Sequence, residues 1–118
     1  MSKNPYTPSP SIDFKPAAHD SETHRVPMFE NDDIRIWKTI IHPNSPLKMH
    51  RHDHSRVLVA LKGGTLKRVE DTGAISYLSF ETGKAYLLNE DPGTSQHADV
   101  NESDEAIEVL VIEFKQNA

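Results

Sequence analysis

The sequence predicts an all-β fold, a single-domain antiparallel barrel or sandwich, and three observations carry that prediction. After Asn31 the chain breaks into short runs rich in β-branched and aromatic residues, the composition of half-buried strands. Glycines recur at 63, 73, 83 and 93 within turn-like clusters, the rhythm of strands that repeatedly reverse. No segment holds a sustained 3.6-residue apolar period with caps, so almost no helix is expected.

From the N-terminus, residues 1–28 read as an extended arm. Pro5, Pro8, Pro10, Pro16 and Pro27 punctuate a polar stretch with too few apolar side chains to offset the entropy of ordering it. The arm either stays disordered or lies across the domain or a partner subunit, with Tyr6, Ile12 and Phe14 as anchors. Residues 29–118 form the barrel domain. Its expected strands are IRIWKTII (34–41), RVLVAL (56–61), TLKRVE (65–70), AISYLSF (74–80), KAYLL (84–88), QHADV (96–100) and AIEVLVIEF (106–114). Gly63-Gly64 suits a two-residue hairpin joining the second of these to the third, because the favoured hairpin turns require positive φ. Both faces of 57–61 and 107–114 are apolar, which predicts strands covered on both sides and a homodimer formed by sheet packing or exchange of the arm.

Size and charge narrow the function. The 118 residues suffice for one core and not for a second. A net charge of -5 leaves no basic face for a phosphate backbone, so nucleic acid is not an expected partner. The longest aliphatic run is 57–61, far short of the roughly 20 residues that span a bilayer, so no membrane partner is expected. The stretch MSKNPYTPSPSIDF lacks the apolar centre of a signal peptide, which makes the cytoplasm the expected location. With no cysteine, any transition-metal site must be built from imidazole and carboxylate.

The stretch KMHRHDHSRVLVALKGG (48–64) places His50, His52 and His54 at alternate positions before an apolar run. On a regular strand they share one face with Arg56, Leu58 and Ala60. Histidines at i and i+2 lie about 6 to 7 Å apart, so two rings can converge on one ion off that face. Crowded imidazoles repel as they protonate, whereas a divalent ion turns the crowding into coordination. His54 either continues the ladder or turns away if the chain bends after His52. The alternative is a solvated loop, and the strand that immediately follows argues against it.

This pattern resembles the first cupin motif: Gly, five residues, His-x-His, three or four residues, Glu, six residues, Gly. Asn44 takes the first glycine position, His50 and His52 the histidines, and Gly63 the last glycine; Arg56 stands where the motif has Glu. Asn is the residue that best replaces Gly at positive φ. The second cupin motif is matched by Gly83, Pro92, His97 and Asn101, with Thr94 for its inner Gly and three extra residues before Pro92. Together the two matches cover about 31–114.

The resemblance implies a jelly-roll barrel and one divalent transition metal (iron, nickel, zinc or manganese) held by His50, His52 and His97, with His54 able to add a nitrogen. Arg56 cannot bind a cation, and a guanidinium beside the ion opposes it by a few kcal/mol at an effective dielectric near 20. A site of three histidines without carboxylate is similar to that of the thiol dioxygenase branch of the cupins. It would free Arg56 to clamp an anionic substrate. Asn101, Tyr86 and Trp37 are further candidates for substrate contact, although Trp37, Tyr77 and Tyr86 fit core packing more simply. His19, His24 and His42 read as surface residues, and 101–105 as a solvated turn. Two functions follow: a small metal-dependent enzyme (dioxygenase, isomerase or similar) on a small polar or anionic substrate, or a non-catalytic cupin that binds a small ligand with its metal site degraded.

Overall fold

The computed structural model describes residues 22–116. The nine strands among them are β1 (His24–Glu30), β2 (Ile34–Ile41), β3 (Leu47–His50), β4 (Arg56–Lys62), β5 (Gly64–Glu70), β6 (Ile75–Phe80), β7 (Ala85–Leu88), β8 (His97–Asn101) and β9 (Ile107–Phe114). They form two sheets, β1-β2-β9-β4-β7 and β3-β8-β5-β6, and every neighbouring pair of strands is antiparallel. No helix occurs among the described residues.

All seven expected strands are present, with ends within two residues of those read from the sequence. The two strands not expected are β1 and β3. Pro27 sits in β1 because β1 is a sheet edge, where a missing N–H breaks no ladder, and the register shifts between Pro27 and Phe29. The arm boundary drawn after residue 28 therefore falls inside β1; Tyr6, Ile12, Phe14 and His19 lie outside the described residues. β3 carries only LKMH, too short for its alternation to show.

The Gly63-Gly64 hairpin is also corrected. β4 and β5 lie in different sheets, so these glycines carry the chain across the barrel. A Cβ on Gly63 would stand 2.1 Å from the Phe80 carbonyl oxygen, and one on Gly64 would stand 2.8 Å from the Ile107 side chain. Close approach, rather than a tight turn, is what demands glycine here. Asn44 does take the glycine-like backbone expected of it, with φ of 61°.

Alternation builds the core. Trp37, Thr39 and Ile41 of β2, Leu58 and Ala60 of β4, and Ile107, Val109 and Val111 of β9 all point inward and are buried. Register stacks them in layers, with Val111 opposite both Trp37 and Leu58, and Val109 opposite Thr39 and Ala60. Leu66 and Phe80 close the core from the other sheet. Each fully buried aliphatic side chain contributes on the order of 1.5–3 kcal/mol. Outward positions of the same strands, Val57, Val59, Leu110 and Ile112, are half-buried, and Leu61 and Leu87 are exposed.

Candidate metal centre

The strands bring positions 50 and 97 together directly. His50 ends β3, His97 begins β8, and the two are register partners. Beyond His50 the ladder is not one strand, because 51–55 leave the sheet. That segment is instead stitched to the loop preceding β8. The His52 amide donates to Asp91 Oδ2 at 2.7 Å and the Asp91 amide donates to the His52 carbonyl at 2.8 Å. Arg51 donates to the carbonyls of Asp91 and Ser95, each at 3.1 Å. His52 is thereby swung over the other two rings. Centroids lie 4.8 Å apart for His50 and His52, 4.4 Å for His50 and His97, and 5.5 Å for His52 and His97.

One nitrogen from each ring lies within 4.8 Å of the other two. Nitrogens about 2.1 Å from one ion are at most about 4.2 Å apart, so small ring movements would close the set on a metal. Tautomers agree with that role. His50 Nδ1 is 2.6 Å from the Lys48 carbonyl, which can only accept, so Nδ1 carries the proton and Nε2 the lone pair. His50 Nε2 is buried and has no hydrogen-bond partner, an arrangement that costs on the order of 1–3 kcal/mol unless something binds it. His97 Nδ1 is likewise buried without a hydrogen-bond partner, with Asp91 Oδ2 3.5 Å away.

Electrostatics keeps the lone pairs available. Burial, reinforced by Arg56 and the neighbouring rings, pushes the His52 pKa down to about 2. Burial, with His50 and Arg68, brings His97 down to about 4 against the pull of Asp91. Both are neutral at pH 7, the state a metal requires. Burial alone would raise the Asp91 carboxyl, but the His52 amide, His97 and Arg68, whose Nη2 is 3.1 Å away, hold it below its ordinary value. Asp99 is raised by burial, against the pull of His50, Arg68 and Arg56.

Other candidate positions divide. Arg56 points inward, is only 5% exposed and donates to the Asn89 carbonyl at 3.2 Å; desolvation lowers its pKa. Trp37 lines the barrel interior beside His52, its indole N–H bonded to Thr39 Oγ1 at 3.0 Å. His54 lies in the 51–55 segment and lines the outer cavity, apart from the three-ring cluster. Asn101 is spent on architecture: Nδ2 donates to the carbonyls of Ile41 and Glu105, and Oδ1 accepts from Ser103. The turn it begins is thus anchored by a buried side chain rather than merely solvated. The Tyr86 hydroxyl accepts from the Glu81 amide at 2.8 Å and its ring packs on Phe80, which is structural use. His24 and His42 stack on each other.

Three residues escaped the sequence reading. Asp91 sits in a turn cluster with Gly93, Arg25 lies in the stretch expected to be an arm, and Asp99 stands two residues after His97, where alternation aims it inward. Arg25 lies 4.9 Å over the Trp37 ring and borders both the outer cavity, about 500 Å³, and the inner one, about 50 Å³. His52 is shared by both cavities.

Solved structures of the same shape give the fold its name. A cupin domain from Bordetella pertussis matches with a TM-score of 0.71 at 21% identity, over 80% of this chain and 95% of its own. The chain has the cupin fold. A conserved protein with a double-stranded β-helix domain from Klebsiella pneumoniae matches this chain at a TM-score of 0.62 and 18% identity, over 88% of this chain and 84% of its own. The polyketide cyclase RemF from Streptomyces resistomycificus matches it at 0.58 and 18%, over 80% of this chain and 66% of its own. No family model and no curated protein matches the sequence. Among the described residues no helix is long and apolar enough to cross a membrane.

Proposed function

We propose that this cupin is a small metal-dependent enzyme whose His50, His52 and His97 hold one divalent iron, nickel, zinc or manganese ion, with a small anionic substrate entering by the outer cavity. The observation that carries the reading is His50 Nε2, a buried lone pair without a protein partner beside two further imidazoles. Three nitrogen ligands leave positions open to water or substrate. Bound there, the ion would supply Lewis acidity, or a dioxygen site if it is iron, which suits dioxygenation, isomerisation or hydrolysis. Arg25, Arg35 and Arg51 border the outer cavity alongside Glu30, Asp53 and Glu113, and Arg56 borders the inner one with Asp99, so cationic groups that could pair with an anion stand at both depths. RemF, named a polyketide cyclase, is an enzyme on the same fold.

Elemental analysis of untagged protein, purified without metal resin, tests the reading. Near-stoichiometric transition metal that disappears in His97→Ala is the expected result. Metal kept by His97→Ala would mean a surface trap. No metal under replete conditions would leave the second reading, a non-catalytic ligand-binding cupin, which the inward guanidinium of Arg56 favours.

We also propose a homodimer through the outer face of the five-stranded sheet, supported by the outward row of Val57, Val59, Leu110 and Ile112 with the 66% exposed Leu87. Light scattering should give twice the chain mass, and Leu87→Lys should lower it. A monomer at high concentration would end this idea.

A further inference from the structure

Two carboxylates stand beside the three histidines: Asp91, whose Oδ2 already accepts from the His52 amide, and Asp99, whose Oδ2 accepts no hydrogen bond among the described residues and faces the rings from β8. Asp99 stands two residues after His97 on β8, so strand alternation turns both side chains into the barrel. Asp99 Oδ2 lies 3.6 Å from His50 Nε2 and 4.0 Å from His97 Nε2. Both separations fall inside the limit of about 4.2 Å for two atoms bound to one ion at about 2.1 Å. The same oxygen therefore faces the unpartnered lone pair of His50 and the ring nitrogen that His97 turns away from Asp91.

Arg25, Arg56 and Arg68 all act on Asp99 through space; Arg25 lies over the Trp37 ring, and the other two have nearer partners. Arg68 reaches Asp91 at 3.1 Å and Glu70 at 3.5 Å, and Arg56 donates to the Asn89 carbonyl. The groups within 4.0 Å of the Asp99 carboxylate among the described basic side chains are the two ring nitrogens. A divalent ion among neutral imidazoles, with Arg56 and Arg68 close by, needs buried negative charge, and Asp99, 9% exposed, supplies it from the sheet opposite Arg56.

We propose that Asp99 is the fourth ligand of the metal, a carboxylate supplied by β8 in place of the one that position 56 no longer offers. This rests on the three-histidine reading above. The resulting set of three nitrogens and one oxygen fits first-row divalent ions. It also leaves Arg56 free on the substrate side.

The test strips the full chain with chelator and titrates it with Ni²⁺ by calorimetry, and with Co²⁺ while following its visible bands, in wild type, Asp99→Asn and His97→Ala. Expected is a Ni²⁺ Kd roughly 100-fold or more weaker in Asp99→Asn, with shifted Co²⁺ bands, at unchanged metal-free circular dichroism. Should Asp99→Asn not fold, Asp99→Ser is read in the same way. A Kd within about threefold of wild type with unaltered Co²⁺ bands, while His97→Ala abolishes binding, would overturn the role of Asp99 and leave the three-histidine site standing. Failure of wild type to bind either ion would overturn both.

Discussion

Along β9 the inward row runs Ile107, Val109, Val111 and then Glu113; along β4 it runs Ala60, Leu58 and then Arg56. Because the two strands are antiparallel, the change of character falls at the same height, and Glu113 and Arg56 are register partners. The barrel thus has an apolar end, closed by Ile41, Leu66, Phe80 and Ile107, and an ionisable end holding His52, Arg56, Asp91, His97 and Asp99. The two ends share strands and pleat, yet their energetics oppose each other. At the apolar end every buried atom is removed from water at a gain. At the ionisable end desolvation moves the pKa values of His52, His97 and Arg56 down and that of Asp99 up, a cost that stability alone would not retain. The comparison teaches that one end holds the fold, while the other forgoes stability for a cluster of groups that could hold a metal.

Four measurements bear on that contrast. Among changes made at neutral pH the largest effect is expected at the apolar end: Ile107→Ala, at a 1% exposed position, should lose about 2–5 kcal/mol in urea unfolding, and a loss under 1 kcal/mol would deny that this end carries the core. Next, Ni²⁺ held at one hundred times its Kd should raise wild-type stability by about 2.7 kcal/mol and do nothing for His97→Ala; equal stabilisation of both would place the ion elsewhere.

Acid comes third. His52 and His97 have folded pKa values near 2 and 4, below the ordinary 6.5, so between about pH 6.5 and 4 the unfolded chain binds protons that the native one refuses. Stability of the metal-free protein should then fall as pH drops, by up to about 1.4 kcal/mol per unit for each histidine, and should be fully present above 6.5. A flat profile across that window would show these rings to be solvated. The smallest effect is expected from His52→Leu, which keeps the backbone bond to Asp91 and removes a costly polar ring; metal-free stability should stay within about 1 kcal/mol of wild type or rise, while the acid slope becomes shallower. A large destabilisation would mean that the ionisable end also supports the fold.

The contrast also explains what was legible. Seven strands and the positive φ at Asn44 follow from alternation and turn residues, which are local in sequence, whereas the meeting of His50, His52 and His97 is implied only by the resemblance to the two cupin motifs. β1 escaped because an edge strand tolerates Pro27, and β3 because a four-residue strand shows too little alternation. Asp91 and Arg25 carry no local mark, since their roles come from partners far along the chain, His52 for one and Trp37 for the other. The Gly63-Gly64 hairpin failed for a related reason: a glycine pair signals backbone freedom and does not say whether a turn or a close approach uses it.

The sequence by itself determined the all-β class and the strand positions, because strand periodicity and turn chemistry act between near neighbours; the grouping of the three imidazoles it only implied, through the two motifs. Tertiary structure alone decided which sheet each strand joined, and that Asp91 braces the histidines. It decided too that the carboxylate facing them is on β8, opposite the guanidinium at position 56. Pairing between strands distant in sequence is selected by burial summed over the whole barrel, and no short stretch of residues records that sum.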